Sequence, residues 1–300
     1  MLGAVIGDIV GSPYEFINMY SRRGVRPFEH TLRGRCQFTD DTVLSMAVAN
    51  ALIRSRDLTD EQLLGDKIAE NLVKYYKRYP LKKWGRNSCY GSGFAQWADK
   101  GDIHTYRTAR SNGGAMRIVP VGWLYSSLDE TLRVARIATE RTHNAKEAIE
   151  GAQMVAAAVF MSRKGESKAA IKCYAEQTFG YKVLEGEEGL ERLRENSRKY
   201  RRKKIAGFKL GEFINCDTKL SVEEALFAFF NTTNFKDCIR TAVAIGGDSD
   251  TIACMSGGIA EAFYGDVPAD WKYKAGGVLA DGHCKTEDME MVMNFKKYIT

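Results

Sequence analysis

A turn near the C-terminal end of the sequence contains two closely spaced aspartates that could do chemistry. Asp248 and Asp250 follow a Gly-Gly pair and precede a small, apolar, helix-forming run from Thr251 to Phe263. A single carboxylate is enough to cap a helix, because it accepts backbone N–H bonds at the positive end of the helix dipole. This turn has two carboxylates and a hydroxyl, and the glycines let the backbone bend so that these side chains converge. A plain helix cap is one interpretation, and a cluster of oxygen ligands is the other.

The same combination of residues occurs much earlier in the chain. Thr39, Asp40 and Asp41 precede an alanine-rich run that reaches Leu52. If the two helix starts meet, four carboxylates share one site, and they cannot all ionise at close range without cations. Hard oxygen ligands favour Mg²⁺ or Mn²⁺, with Ca²⁺ as a further option, over zinc. Four acids predict two metal ions about 3.5 to 4 Å apart, as in two-metal hydrolases.

The remaining sequence predicts the helices that position these turns. Apolar residues recur at helical spacing, and segments with the alternation of β-strands are absent, so the sequence predicts an all-α protein. The helices outside the two acidic turns are expected at 2–12, 59–79, 128–141, 145–161, 167–179, 190–200, 222–229 and 235–244. Pro80 ends the second of them.

Composition limits the class of protein. The 300 residues are 44% hydrophobic, which allows a large core in one domain or two. A net charge of +6 with both signs present indicates some affinity for anions. The most basic run, 198–204, is interpreted as a solvated helix end, because nucleic-acid binding needs a wider basic face with aromatic residues. Seven cysteines without a C-x-x-C pair predict free thiols in a reducing cytoplasm. The apolar start contains Asp8 and lacks a basic segment, so neither a signal peptide nor a membrane span is expected.

The N-terminal segment is predicted to be a closely packed helix. Glycines at positions 3, 7 and 11 share one face at i, i+4 spacing, which permits close approach of another helix. The G-x-G-x-x-G order of a dinucleotide-binding loop is missing. Ser12-Pro13 ends this helix and leaves Glu15 among apolar neighbours, where an acid is either paired or a ligand.

Three later features suggest ligand contacts, although each has an ordinary structural explanation. Residues 84–97 mix aromatic residues, glycines and small polar residues, which suits a loop closing over an aromatic ring or a sugar, or equally a packed surface turn. The Asn-Gly-Gly at 112–114 is placed at a predicted helix start, where free N–H groups form an anion site for phosphate. Turns use the same residues. His143 precedes the helix at 145, where a lone histidine is usually a cap or a surface residue.

Together these segments resemble the ADP-ribosylglycohydrolase family, which includes dinitrogenase-reductase-activating glycohydrolases and ADP-ribosyl-serine hydrolases. The similarity covers nearly the whole chain. Its motifs are G-D-I-V-G-S-P-Y-E-F at 7–16, F-T-D-D-T at 38–42, Y-G-S-G at 90–93, S-N-G-G-A-M-R at 111–117, T-H at 142–143 and G-G-D-S-D-T-I-A at 246–253. Each motif is short, but six of them in this order are highly specific.

The resemblance implies one compact all-α domain over residues 1–300, with two metal ions, usually Mg²⁺, on the floor of a cleft. The metal ligands implied by motif position are Thr39, Asp40, Asp41, Asp248, Asp250 and Thr251. Glu15 is implied to lie beside them, as a ligand or as a mobile acid that orders water and substrate. The implied substrate-binding residues are Tyr90, Gly91, Asn112, Gly113, Gly114 and His143, of which the last four face the diphosphate and ribose of ADP-ribose.

The sequence departs from the family pattern in two places. In the arginine-specific branch, the loop after the third helix carries an aspartate for the guanidinium, whereas Ser88 to Gly93 contain no acid here. ADP-ribosyl-arginine is therefore not the expected substrate. Many relatives have Ser-x-Gly before the Asn-Gly pair, and Ala109, Arg110 and Ser111 stand there in this chain. The contact that the serine hydroxyl of these relatives makes to phosphate is therefore not expected at Ala109, and the charge of Arg110 is a candidate to replace it.

The function implied by the resemblance is a Mg²⁺-dependent hydrolase that cleaves the bond between ribose C1″ of ADP-ribose and an acceptor, with O-linked acceptors favoured. Glu15, Asp41 and Asp248 are the catalytic candidates, and which carboxylate takes the proton from water is left open. The alternatives are a catalytically silent ADP-ribose binder and a nucleic-acid binder that uses residues 198–204. The first is disfavoured because all six predicted metal-ligand positions carry oxygen-containing side chains. The acceptor is also left open: serine, arginine, a nucleic-acid end or a small molecule. A monomer is expected.

Overall fold

The computed structural model describes residues 1–16, 22–29, 35–83, 87–205 and 216–299. Within these ranges the chain forms α-helices and three short 3-10 helices, and an isolated bridge of β type joins Ser111 and Asp217. The prediction of an all-α protein is confirmed. The helices are α1 Leu2–Gly11, α2 Asp40–Arg54, α3 Glu61–Arg78, α4 Ser92–Lys100, α5 Val119–Leu124, α6 Leu128–Glu140, α7 Lys146–Arg163, α8 Lys168–Phe179, α9 Gly186–Ile205, α10 Thr218–Phe230, α11 Phe235–Ile245, α12 Ser249–Tyr264, α13 Ala269–Asp281 and α14 Thr286–Met293.

Helices α1 and α12 pack with their backbones in direct contact. A Cβ atom placed on Gly3 would lie 2.3 Å from the carbonyl oxygen of Gly257, and one on Gly7 would lie 1.9 Å from that of Ala253. All ten residues of α1 are buried. The glycine stripe therefore has the packing role that its spacing predicts, and it brings the start of α12 against the end of α1.

The buried apolar side chains form one contiguous cluster that draws on helices from α1 to α14. Helix α12 lies at its centre, because it packs against α1, α7, α10 and α11. Small residues such as Ala253 and Gly257 allow α1 to approach closely. No helix in the described part of the chain is long and apolar enough to cross a membrane.

Two local predictions are wrong. Residues 112–117 form consecutive turns, and the next helix starts only at Val119, with Pro120 in its first turn, where a missing N–H is tolerated. The predicted loop 84–97 contains helix α4 from Ser92 onward, because Phe94 and Trp97 face the core at helical spacing. Residues 84–86 of that prediction lie outside the described residues.

Helices α13 and α14 lie outside the segments for which the sequence predicts a helix. The basic run 198–204 lies at the end of helix α9, as the prediction of a helix end requires. Its side chains lie outside the described part of the structure.

Candidate metal and ligand site

The ends of three helices bring carboxylates together at the bottom of one pocket. Asp8 of α1, Asp41 of α2 and Asp250 of α12 each offer an oxygen within 4.8 Å of the others. Asp250 also belongs to a second group with Glu15 and Asp248, which satisfies the same distance limit. We call these groups the inner cluster (Asp8, Asp41, Asp250) and the outer cluster (Glu15, Asp248, Asp250). The predicted meeting of the two acidic turns is thus present in the structure.

These aspartates are not ordinary helix caps. At the start of α3, the Asp60 carboxylate accepts a bond from the backbone N–H of Leu63, as a capping side chain should. Thr39 and Asp248 occupy the corresponding positions of α2 and α12, and neither makes a side-chain capping bond. Their oxygens point instead toward the clusters, which excludes the capping interpretation for Asp248.

Asp8 holds the acidic turn of α2 in place. Its carboxylate accepts bonds from the Thr39 backbone N–H at 2.8 Å and the Thr39 hydroxyl at 2.7 Å. It also accepts from the Thr42 backbone N–H at 3.2 Å and the Thr42 hydroxyl at 2.5 Å. Sequence reasoning missed this role, although the argument applied to Glu15, an acid among apolar residues, applies equally to Asp8.

The inner cluster has the features of a cation site. Asp41 Oδ1 is buried and has no hydrogen-bond partner among the described residues. Burial and the neighbouring carboxylates raise the pKa of Asp41 well above its usual range. Burial, with a contribution from Asp250, raises the pKa of Asp8 to about 6. The donors are all oxygens, so the residues present fit a hard divalent cation such as Mg²⁺ or Mn²⁺.

The remaining predicted ligands border this centre. The hydroxyl oxygens of Thr39 and Thr251 each lie 3.3 Å from Asp41 Oδ2. Asp40 lines the pocket outside both clusters, and burial raises its pKa to about 8 although Lys83 acts in the opposite direction. Whether Asp40 and the two threonines bind a metal stays a prediction.

A lysine that the sequence did not single out lies in the outer cluster. The Lys83 ammonium is 2.7 Å from Glu15 Oε2 and also forms an ion pair with Asp250. Its side chain is 5% exposed. Although burial lowers the pKa of an ammonium group, these two carboxylates raise the pKa of Lys83 well above its usual value, so it is charged. Nothing in the local sequence distinguishes Lys83 from the adjacent Lys82.

The predicted ligand-binding turn sits above the acids. Asn112 donates from Nδ2 to Asp248 Oδ2 at 2.8 Å and to Ser221 Oγ at 3.0 Å, so its side chain orients a cluster carboxylate. Gly113 lines the pocket beside His143. Gly114 does not line it, because it packs against Thr139, where a Cβ atom would lie 2.5 Å from Cγ2.

Apart from the two clusters, the pocket is bordered by a hydrogen-bonded chain of polar side chains, which we call the cationic end. Arg117 donates from Nη2 to the Thr142 hydroxyl at 2.6 Å, and that hydroxyl lies 2.8 Å from His143 Nδ1. His143 Nε2 lies 3.0 Å from the Ser111 hydroxyl. The Thr142 hydroxyl has two possible acceptors, His143 Nδ1 at 2.8 Å and the Thr139 carbonyl at 3.5 Å. We assign its hydrogen to the nearer one, His143 Nδ1, which places the imidazole hydrogen on Nε2. Ser111 then accepts from His143 and keeps its own O–H for a ligand.

This end of the pocket is cationic. Arg117 is fully buried, and its Nε and Nη1 have no hydrogen-bond partner among the described residues. Neither Arg117 nor Arg107 forms an ion pair within the ranges that the structure describes. Burial, followed by these two arginines, lowers the pKa of His143 well below its usual value, so the imidazole is neutral. Arg110 is not part of this end, because its exposed side chain points toward Glu147, 4.0 Å away.

An aromatic wall closes one side of the pocket, whose volume is about 530 Å³. Tyr90 stacks on Phe94 with ring centroids 6.1 Å apart, and its hydroxyl donates to the Tyr79 carbonyl at 2.7 Å. That hydroxyl is therefore used within the protein. A Cβ atom on Gly91 would meet nothing within 4 Å, so the backbone is open to the pocket there.

The chain matches the model of the ADP-ribosylglycohydrolase family over residues 1–292 and belongs to that family. It is 26% identical to ADP-ribosylhydrolase ARH3 of Mus musculus, over 92% of this chain and 86% of that protein. It is also 26% identical to ADP-ribosylarginine hydrolase Tri1 of Pseudomonas putida (strain GB-1), over 91% of this chain and 72% of that protein. A solved chain of an ADP-ribosylglycohydrolase-related protein complex has the same fold, with a TM-score of 0.65 and 22% identity, covering 100% of this chain and 96% of that one.

Proposed function

We propose that this chain is a hydrolase that removes ADP-ribose from an ADP-ribosylated acceptor by cleaving the bond at ribose C1″, with divalent cations, Mg²⁺ or Mn²⁺, at the acidic clusters. The observation that carries the proposal is the separation of charge within one pocket. The two clusters supply the carboxylates, and the cationic end supplies His143 and two guanidinium groups that form no ion pair with described residues. ADP-ribose has a diphosphate for the cationic end and ribose hydroxyls for the cation-binding end. The names of two relatives of this chain, ADP-ribosylhydrolase ARH3 and ADP-ribosylarginine hydrolase Tri1, support the same substrate class.

The acidic end would provide the hydrolytic chemistry. Bound there, a divalent cation would supply Lewis-acid activation of water and stabilise negative charge as the acceptor leaves. Glu15 is the partly exposed member of the outer cluster, which suits a carboxylate that takes a proton from water entering through the pocket. Asp248 is held in one orientation by Asn112, and Asp8 fixes the turn that presents Asp41.

The cationic end would bind the diphosphate. Ser111 offers an O–H donor because His143 already donates to its oxygen in the assigned network. Arg117 is joined to His143 through the Thr142 hydroxyl, and no carboxylate among the described residues forms an ion pair with its guanidinium group. A phosphate oxygen placed against Ser111 and the backbone of Gly113 would satisfy this end, since charge-assisted hydrogen bonds to anions are the stronger class.

The acceptor preference follows from the pocket wall. Ser88 to Gly93 all line the pocket and contribute no carboxylate to it. An arginine acceptor would place an unpaired guanidinium there, whereas an oxygen-linked acceptor brings no charge that needs a partner. We therefore propose O-linked acceptors as the preferred substrates. Tri1, a relative at the same identity as ARH3, is named for ADP-ribosylarginine, so the preference needs direct measurement.

The test is release of ADP-ribose from a panel of O- and N-linked substrates, in Mg²⁺ and in excess EDTA. Asp41→Asn removes an inner-cluster carboxylate, and Asp60→Asn, at the capped start of α3, is the matched control. Release that depends on Mg²⁺ and is lost in Asp41→Asn supports the proposal. Tight ADP-ribose binding with no release from any substrate would instead identify the silent binder.

A further inference from the structure

The outer cluster already contains a cation supplied by the protein. Lys83 contacts Glu15 and Asp250, two of the three carboxylates that would hold a divalent ion there. Its ion pairs with described residues do not include Asp8 or Asp41, the other two members of the inner cluster. The two clusters are therefore unequal, although both are built from three carboxylates.

The backbone around Lys83 is fastened on several sides. The Leu81 carbonyl accepts from the Cys89 backbone N–H at 3.1 Å, and the Lys82 carbonyl accepts from Gln37 Nε2 at 3.2 Å. Tyr79, just before this segment, donates its hydroxyl to Asp288 at 2.6 Å. These bonds hold the segment that precedes Lys83, so rotation of the lysine side chain is the simplest route by which the ammonium group could leave the cluster.

A buried lysine and a divalent ion compete for the same oxygens. A second cation within about 4 Å of the ammonium would be repelled by it, and at the low effective dielectric of a buried site this repulsion is large. Rotation of the Lys83 side chain away from Asp250 would remove the repulsion, but it would break the ion pairs with Glu15 and Asp250. Either route weakens binding more at the outer cluster, where Lys83 contacts two of the three carboxylates, than at the inner cluster, where it contacts only Asp250.

We propose that Lys83 is the resident cation of the outer cluster, so that one divalent ion binds tightly at Asp8, Asp41 and Asp250, and a second binds weakly because it must displace Lys83. This inference rests on the cation-binding part of the proposed function. Under this proposal, the number of divalent ions bound at a given concentration depends on the side chain of Lys83.

The test is a Mn²⁺ titration of the metal-stripped full chain, followed by calorimetry and by the electron paramagnetic resonance signal of free Mn²⁺. Wild type should bind one ion at least about tenfold more tightly than the second. In Lys83→Met the second dissociation constant should fall by about tenfold or more, toward the first. Lys83→Arg, which keeps the charge, and Lys82→Met, at the exposed neighbour, should behave like wild type.

Two equally tight sites in wild type, or a Lys83→Met protein whose second site is as weak as that of wild type, would overturn the proposal. The wild-type titration can overturn the proposal even if Lys83→Met fails to fold, because the inequality of the two sites is already required there. If neither wild type nor the two Lys83 variants bind Mn²⁺, the cation-binding part of the proposed function is rejected as well. If Mn²⁺ binds with the same affinities in wild type and in Lys83→Met, only this inference is rejected.

Discussion

Asn112 donates a 2.8 Å hydrogen bond from its amide to the Asp248 carboxylate, and this bond joins the turn that lies over the pocket to the acids beneath it. The turn itself is held by antiparallel contacts to the segment before α10, where the Asn112 backbone N–H donates to the Cys216 carbonyl at 2.7 Å. A residue expected to face a diphosphate thus has its side chain committed to the acidic centre.

Replacing Asn112 should therefore weaken cation binding as well as substrate binding. In Asn112→Ala, Asp248 loses the bond that orients it, and second-layer contacts of this kind are worth about 10- to 100-fold in metal affinity. Mn²⁺ titration and kcat/KM should both register the loss, while the helical circular dichroism signal stays at the wild-type level. Asn71→Ala, on α3 and away from the pocket, is the control. Unchanged Mn²⁺ affinity would show that Asp248 does not need this bond.

Neutralising one acid should stabilise the metal-free protein. Asp41 is buried among like charges, and its raised pKa means that the ionised form is disfavoured in the folded state. Asp41→Asn should accordingly raise the Tm in EDTA and abolish the increase in Tm that Mg²⁺ gives to wild type. Differential scanning calorimetry with and without Mg²⁺ measures both effects. A lower Tm in EDTA would mean that the carboxylate is stabilising without a cation.

His143 should make the protein sensitive to acid. Its pKa is lowered in the folded state by burial and by Arg117 and Arg107, so the unfolded chain takes up a proton first as the pH falls. The stability that depends on neutral His143 is fully present above about pH 6.5 and is lost progressively below it. His143→Gln should show a smaller decrease in the free energy of unfolding between pH 7 and pH 5, measured by urea titration. An identical pH dependence in both proteins would argue that the imidazole is charged in the folded state.

Acceptor preference should run from O-linked to N-linked substrates. Peptides of matched sequence that carry ADP-ribosyl-serine or ADP-ribosyl-arginine should give a higher kcat/KM for serine, because Ser88 to Gly93 offer no carboxylate to a guanidinium. Ser92→Asp, which adds one at the pocket wall, should shift the ratio toward arginine. A wild-type preference for arginine would direct attention to Glu15 as its partner.

The α1–α12 contact should tolerate no side chain. Gly7→Ala places a Cβ atom 1.9 Å from the Ala253 carbonyl oxygen, so the helices must separate, at a cost of about 1 to 3 kcal/mol or more. Gly277→Ala, in α13, meets nothing within 4 Å and should be neutral or slightly stabilising because alanine favours the helix. Urea unfolding of the two variants gives the comparison, and equal stabilities would show that the backbones are not in contact.

The sequence predicted the elements that have a strong helical pattern and the acids that follow them. Thr39 to Asp41 and Asp248 to Thr251 could be recognised because each acidic turn directly precedes an apolar run. The roles of Lys83 and Arg117 could not be recognised from the sequence, since they depend on which distant groups these side chains contact after folding. Glycine and asparagine are common both in turns and at helix starts, so the sequence at Asn112 does not distinguish the two. Only the bonds of Asn112 to Cys216 and Asp248 identify the turn.

The packing of α1 has a consequence for the order of folding. Every residue of this helix is buried, and its closest partner, α12, comes from the other end of the chain. During synthesis, α1 leaves the ribosome without the surface that covers it and must wait until α12 has been made. Contacts between distant segments form late because loop closure is unfavourable until other structure shortens the loop. The acidic centre, which needs Asp8 and Asp250 together, should therefore assemble in the last folding step, and the nascent chain should be incapable of holding a cation there until then.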